Sequence, residues 1–236
     1  MTHEPAPTEP VPAEPVPAGT DPAGSVPTEL VATGAGDARI RYHRAAAPRA
    51  LLALGHGAGG GVEARDLVAL AEALPPRGIT VALVEQPWRV AGKRLGPAPR
   101  TLDLGWTPVA ERLAGQGVPL VVGGRSAGAR VACRTGAATG AVGVVALAFP
   151  LHPPGQPEKS RAEELLESGL PTLVVQSAAD PFGGPMEFPE LPAGHELVAV
   201  PYGSHGFEVP KRAPVGQDEV LELICRAVGD WVLALL

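Results

Sequence analysis

The chain alternates short, uninterrupted apolar runs with longer segments whose apolar residues recur every three or four positions. Runs of this kind are typical of buried strands, and the longer segments are typical of amphipathic helices. The runs predict strands over residues 38–43, 50–54, 79–84, 118–122, 144–148, 171–176 and 197–200, and the longer segments predict helices over residues 62–77, 102–114, 158–168 and 217–236. Because strands that alternate with helices form βαβ units, we expect an α/β fold with a mostly parallel, doubly wound sheet.

The first 28 residues do not share this pattern. Proline, alanine and glutamate alternate there with almost no large apolar side chain, so the segment cannot bury enough surface to offset the entropy lost on ordering its backbone. We therefore expect a disordered tail over residues 1–28 and a single folded domain over residues 29–236. The linkers between the expected strands are too short to hold a large lid domain.

Composition narrows the range of partners and compartments. The net charge of −6 argues against non-specific binding to nucleic acid, and no apolar run approaches the length needed to cross a membrane. Cys133 and Cys225 fall on predicted helices, which favours free thiols in a reducing compartment, and no secretory signal is recognisable, so we expect a cytoplasmic protein. No group of residues has the spacing of metal ligands, and we expect neither a metal nor an organic cofactor.

The strand at 118–122 leads into the segment Gly124-Arg125-Ser126-Ala127-Gly128, which has the pattern G-x-S-x-G. In a nucleophile elbow the serine lies on a sharp strand-to-helix turn, and the glycines let the strand and the helix pass closely. Ser126 is therefore the candidate nucleophile. The N–H of Ala127 should lie at the N-terminus of the following helix, where it can donate to an oxyanion formed beside the serine.

An aspartate and a histidine follow two of the later strands. Asp180 comes after the strand at 171–176, and His205 comes after the strand at 197–200. An aspartate in this position can fix the tautomer of a histidine and stabilise the imidazolium, and the chain order of nucleophile, acid and histidine is that of an α/β-hydrolase. A turn-forming role before Pro181 is the alternative for Asp180. The competing acid position, after the strand at 144–148, holds no carboxylate.

Other residues near these loops are candidates for the substrate pocket. His56 and His152 each follow a predicted strand, and a structural role in a tight loop is the alternative for both. The loop at 86–100 carries Trp88 and Arg94 among several cations. Because this loop leaves the carboxyl end of a strand, it should border the crevice, where its cations would favour a substrate with a carboxylate or a phosphate. A solvated loop without a binding role is the alternative.

Taken together, these segments resemble small serine α/β-hydrolases of the dienelactone-hydrolase-like type. The closest likeness is to a bacterial group that shares a hydrolase-like domain with a testis-expressed protein and with a regulatory subunit of a histone acetyltransferase complex. The likeness rests on residues 54–59, 123–132, 149–155, 176–183 and 203–207. It implies the α/β-hydrolase fold and carries over Ser126, Asp180 and His205 as a catalytic triad. Dienelactone hydrolases proper use a cysteine nucleophile, so their activity is not implied.

The resemblance also assigns a role to the glycine-rich loop that follows the strand at 50–54. This loop resembles the oxyanion loop of these enzymes. The N–H of Ala58 is the preferred second donor, and Gly57 and Gly59 are the alternatives.

The expected reaction is hydrolysis of a small carboxylic ester or thioester through an acyl-enzyme. Two other classes stay open. One is a non-catalytic binding or scaffold module, because some eukaryotic members of the group serve as scaffolds. The other is a peptidase or amidase that uses the same triad.

Overall fold

The structure, a computed structural model, describes residues 26–236. Nearly all of the expected tail, residues 1–28, lies outside the described residues, and Thr28 is the first residue of a strand. The strands are β1 (Thr28–Thr33), β2 (Gly36–His43), β3 (Ala50–Gly55), β4 (Ile79–Glu85), β5 (Leu120–Arg125), β6 (Gly143–Leu147), β7 (Thr172–Ser177) and β8 (His195–Val200). The α-helices are α1 (Arg65–Ala73), α2 (Pro87–Val90), α3 (Pro99–Ala114), α4 (Ala127–Thr135), α5 (Ala162–Leu166) and α6 (Gln217–Ala234).

All eight of these strands join one sheet in the order β1-β2-β4-β3-β5-β6-β7-β8. Strand β2 pairs antiparallel with β1 and β4, and the pairs from β4 through β8 are parallel. This arrangement confirms the predicted α/β-hydrolase fold with a mostly parallel, doubly wound sheet. Within residues 26–236, no connection between the strands forms a large lid domain.

Both faces of the sheet are covered, which explains why its central strands are apolar along their whole length. Trp106 of α3 and Phe149 belong to the cluster on one face. Leu70 of α1 and Trp231 of α6 belong to the cluster on the other. Helix α6 buries the stripe that its spacing predicted and covers part of this second face.

Some boundaries differ from the predicted ones. The helix predicted over 62–77 stops at Ala73, and the two prolines that follow lie in a short 3-10 helix, Pro75–Arg77, because proline cannot continue an α-helix. The charged helix predicted over 158–168 is reduced to Ala162–Leu166. The N–H of the residue before it, Arg161, donates instead to the Leu151 carbonyl at 2.7 Å.

Candidate active site

Ser126 lies between the last residue of β5 and the first residue of α4. Its backbone has φ 54° and ψ −113°, a strained conformation for a residue with a side chain. A Cβ atom at Gly124 would lie 2.5 Å from the Gly55 carbonyl oxygen, and one at Gly128 would lie 2.6 Å from the same atom. Both glycines are therefore required by the close passage of β3, as the elbow pattern predicted.

The structure brings the three expected side chains together. Nε2 of His205 lies 3.0 Å from Oγ of Ser126, and Nδ1 of the same ring lies 2.8 Å from Oδ2 of Asp180. Because an ionised carboxylate only accepts hydrogen bonds, Nδ1 carries the proton and Nε2 is free to accept the serine hydroxyl proton. The three residues come from loops after β5, β7 and β8, which end at the same edge of the sheet.

The carboxylate of Asp180 is completely buried and has several donors. Nε2 of Gln176 donates to Oδ2 at 3.1 Å, and the N–H of Phe182 donates to Oδ1 at 2.9 Å. The Phe182 ring also packs on the imidazole of His205, with 4.3 Å between centroids. These contacts fix the carboxylate and the plane of the histidine ring at the same time.

The loop that carries His205 is anchored on both sides of the histidine. The hydroxyl of Ser177 donates to the carbonyl of Gly203, and Nε2 of Gln217 donates to the carbonyl of Phe207 at 2.8 Å. Phe207 itself has φ 53°. The loop therefore holds an unfavourable backbone conformation through side chains of β7 and α6.

Ala127 and Ala58, whose N–H groups the sequence suggests as oxyanion donors, lie in the two segments that flank Ser126. Ala127 is the first residue of α4, so its N–H has no acceptor within the helix. The loop after β3 passes close to the serine, since a Cβ at Gly57 would lie 3.4 Å from that of Ser126. Ala58 follows in this loop, and its carbonyl accepts the N–H of Gly96 at 3.0 Å. Among residues 26–236, the N–H of Ala58 has no backbone acceptor.

His56 is buried beneath this loop, with 3% of its surface exposed. The N–H of Gln86 donates to Nε2 at 3.0 Å, so Nδ1 is the protonated nitrogen and donates to the Gly57 carbonyl at 2.9 Å. Burial lowers the pKa of His56, which keeps the ring neutral. Both nitrogens are engaged by the protein, so His56 supports the glycine-rich loop and does not offer a polar group to the crevice.

The loop at 86–100 lies against the glycine-rich loop, where the N–H of Gly96 donates to the Ala58 carbonyl, but its side chains point in different directions. Trp88 is buried and packs edge-on against His56, with 5.3 Å between centroids. Arg94 is exposed. Arg100 lines a cavity beside Leu104 of α3, away from Ser126. Of the pocket residues expected in this loop, Trp88 is therefore turned inward, and Arg94 stays a candidate.

His152 lies behind the loop that carries the acid. Its Nδ1 lies 2.9 Å from the Pro153 carbonyl and its Nε2 lies 3.0 Å from Glu187. These two acceptors raise the pKa of His152. Its backbone N–H donates to the Phe182 carbonyl at 3.0 Å. His152 therefore braces the segment around Asp180, and both nitrogens of its ring are engaged by the protein.

Three side chains at the site were missed by the sequence reasoning. Gln176 binds the acid, Arg125 donates to the carbonyl of His205 at 2.9 Å, and Asp66 is buried next to Arg125. A polar residue at the end of an apolar run was a usable signal for Gln176. Arg125 occupies the first variable position of the elbow pattern, which gave no such signal.

No group of three or more His, Cys, Asp or Glu side chains among residues 26–236 could hold a metal ion. Over the same range, none of the helices is long and apolar enough to span a membrane.

The sheet, the elbow and the three side chains at its carboxyl edge define the class of the protein, which is built as an α/β-hydrolase. The family is shown by its sequence, because the alpha/beta hydrolase domain family matches residues 48–233, and the chain belongs to this family. A search of curated protein sequences gives no match.

Solved structures share the fold at low sequence identity. An a/b serine hydrolase without lid from Xanthomonas campestris is 21% identical, with a TM-score of 0.64 over 87% of this chain and 94% of that one. An alpha-beta serine hydrolase homologue from Coxiella burnetii is 18% identical, with a TM-score of 0.67 over 86% and 97%. A dienelactone hydrolase from Anabaena variabilis is 18% identical, with a TM-score of 0.66 over 89% and 97%.

Proposed function

We propose that the protein is a serine hydrolase that cleaves a small carboxylic ester or thioester. The observation that carries the proposal is the continuous contact from Ser126 Oγ through His205 to Asp180, at 3.0 Å and 2.8 Å, with the carboxylate completely buried. This geometry meets the requirement that nucleophile, base and orienting acid lie within hydrogen-bond distance before substrate arrives.

In the proposed reaction, Nε2 of His205 takes the proton of the Ser126 hydroxyl as the oxygen attacks the substrate carbonyl. The new C–O bond gives a tetrahedral oxyanion, which the N–H groups of Ala127 and Ala58 bind. The imidazolium then gives its proton to the departing alcohol or thiol, and an acyl-enzyme remains. Water repeats both steps and releases the carboxylic acid. Asp180 stays ionised and stabilises the imidazolium throughout.

The proposed subgroup, substrate class and location follow from the resemblance of the sequence to small serine α/β-hydrolases. We place the protein in the group related to the testis-expressed protein and the histone acetyltransferase subunit, acting on a small-molecule substrate in the cytoplasm. Cys133 and Cys225 support a reducing compartment, since both thiols are free and buried.

A fluorophosphonate probe tests the proposal directly, because it phosphonylates only a serine activated by a base. The wild-type protein should be labelled and the Ser126→Ala variant should not. Ser160→Ala, which removes an exposed serine before α5, is the matched control and should be labelled like the wild type. Labelling that persists in Ser126→Ala would show that another residue reacts.

A non-catalytic scaffold is the second candidate, and it predicts that folded wild-type protein resists the probe. A peptidase or amidase is the third. A panel of short acyl esters, acyl thioesters and aminopeptide substrates separates it from the proposed activity. We expect hydrolysis of the esters or thioesters and none of the peptides. Peptide cleavage abolished by Ser126→Ala would reassign the substrate class while keeping the nucleophile.

A further inference from the structure

Behind the candidate histidine lies a buried ion pair that the reaction above does not use. Asp66, in the first turn of α1, has a completely buried side chain, and no side chain in the described part of the chain donates a hydrogen bond to either carboxylate oxygen. Nε of Arg125 lies 3.5 Å from Oδ2. Burial raises the pKa of Asp66, and the guanidinium of Arg125 opposes that shift. A buried carboxylate kept beside an arginine requires a structural or functional reason.

The other end of the guanidinium reaches the loop of His205. Nη2 of Arg125 donates to the backbone carbonyl of His205 at 2.9 Å. Among residues 26–236, this is the one hydrogen bond that the carbonyl accepts. His205 is therefore held at two points, with its ring bound by Asp180 and its backbone bound by Arg125.

Arg125 is also the residue that directly precedes Ser126. It is the last residue of β5, and its side chain contacts the loop after β8. A single residue thus links the backbone of the nucleophile to the backbone of the base. Strands β5 and β8 are not neighbours in the sheet, so this hydrogen bond joins the two segments directly.

The space around the guanidinium shows why a carboxylate is needed. A cavity of about 370 Å³ lies beside it, bordered by Gly60, Arg65 and Gly206. A long side chain next to open volume has other rotamers available, yet the side chain of Arg125 is only 17% exposed. The charge of Asp66 favours the rotamer that reaches His205.

We propose that Arg125, held in place by Asp66, is a positioning residue that sets His205 against Ser126. The inference rests on the proposed function, since positioning matters for catalysis only if the serine reacts. Arg125 does not contact the reacting atoms in this scheme, so its loss should lower the rate of the chemical step and leave substrate binding unchanged.

The kinetic test uses Arg125→Met, which keeps the length of the side chain and removes its donors. Fluorophosphonate inactivation should show a maximal rate that falls about 10- to 100-fold, the cost of a misplaced catalytic group, with an unchanged half-saturating probe concentration. Arg125→Lys should recover part of the rate. Arg112→Met, which breaks an ion pair with Glu29 on β1, is the matched control and should keep the full rate.

A second measurement does not require activity. The Nδ1 proton of His205, shared with Asp180, should give a downfield proton NMR signal that is absent in His205→Asn. In Arg125→Met we expect this signal to broaden or disappear through faster exchange with water. If the wild type does not react with the probe, the proposed function fails, and the NMR signal still tests the positioning role.

The outcomes are distinct. An Arg125→Met protein that folds and retains both the inactivation rate and the NMR signal would overturn the inference. If Arg125→Met does not fold, Asp66→Asn decides, because asparagine has the volume of aspartate and removes only the charge. Slower inactivation or a broadened signal in Asp66→Asn supports the inference, and wild-type values of both refute it.

Discussion

Replacing Gly128 with alanine tests whether the close passage of β3 and α4 sets the geometry of the site. The added Cβ would lie 2.6 Å from the carbonyl oxygen of Gly55, about 0.8 Å inside the 3.4 Å at which ordinary contact begins. The contact is with backbone, so the strand end and the helix must move apart. Overpacking of this kind costs about 1–3 kcal/mol. For a domain of this size, the melting temperature should fall by roughly 2–12 °C.

The same displacement should also reduce activity. The N–H of Ala127 moves with α4, and the N–H of Ala58 moves with the loop after β3, so the two donors separate. A misplacement near 1 Å can cost about 100-fold in rate. Calorimetry and fluorophosphonate labelling measure the two effects on the same sample.

Gly60→Ala is the matched control for this substitution. It adds the same methyl group to the glycine-rich loop, where nothing lies within 4 Å of the new atom. Stability and labelling should stay close to wild type. If Gly128→Ala behaved like Gly60→Ala, the reasoning from backbone contact would be refuted.

Three other changes test separate parts of the structure. Asp180→Asn should fold like the wild type and hydrolyse esters up to about 10⁴-fold more slowly, because the amide no longer fixes the Nδ1–H tautomer of His205. A wild-type rate would show that Asp180 is not the catalytic acid. Burial lowers the pKa of His56 in the folded protein below its ordinary value of about 6.5. As the pH drops below about 6.5, the imidazole is therefore protonated first in the unfolded chain, and the free energy of unfolding falls. Urea unfolding should show a weaker fall in His56→Gln, and an equal fall would contradict the neutral buried ring. Burial raises the pKa of Cys133 to about 12 and that of Cys225 to about 11, so an aromatic disulfide reagent at neutral pH should titrate both thiols only after unfolding.

Sequence reasoning located the candidate residues because each follows directly on an apolar run. Ser126, Asp180 and His205 lie just beyond β5, β7 and β8, and parallel strands of one sheet end at a common edge. The order of these residues and strands along the chain was therefore sufficient to predict that the three side chains lie close together. Their distances and the donors around Asp180 required coordinates.

The pocket was harder to predict, because the position of a loop along the chain does not determine where its side chains point. His56 and Trp88 follow strands as the reasoning required, but both turn inward, and the alternative of a structural histidine describes His56. Asp66 lies in the first turn of a helix whose apolar spacing gives no sign of a buried charge. Its partner, Arg125, is the last residue of β5, far away along the chain, so only the folded structure shows the pair.

Strand β1 was also absent from the expected elements. Its residues alternate between exposed and half-buried, since it lies at the edge of the sheet and pairs only with β2. An edge strand of this kind lacks the continuous apolar run that marked the central strands.

The positive φ angles of four non-glycine residues limit where substitutions can stabilise the protein without lowering its proposed activity. Among residues 26–236, Ser126, Ala148, Tyr202 and Phe207 have φ between 44° and 59°, and all follow strands at the edge that carries the candidate site. Each such residue costs about 1–3 kcal/mol. Mutations that relax this edge would raise the melting temperature and lower the proposed activity, so thermostable descendants of this protein should accumulate their substitutions on the opposite rim and along α6.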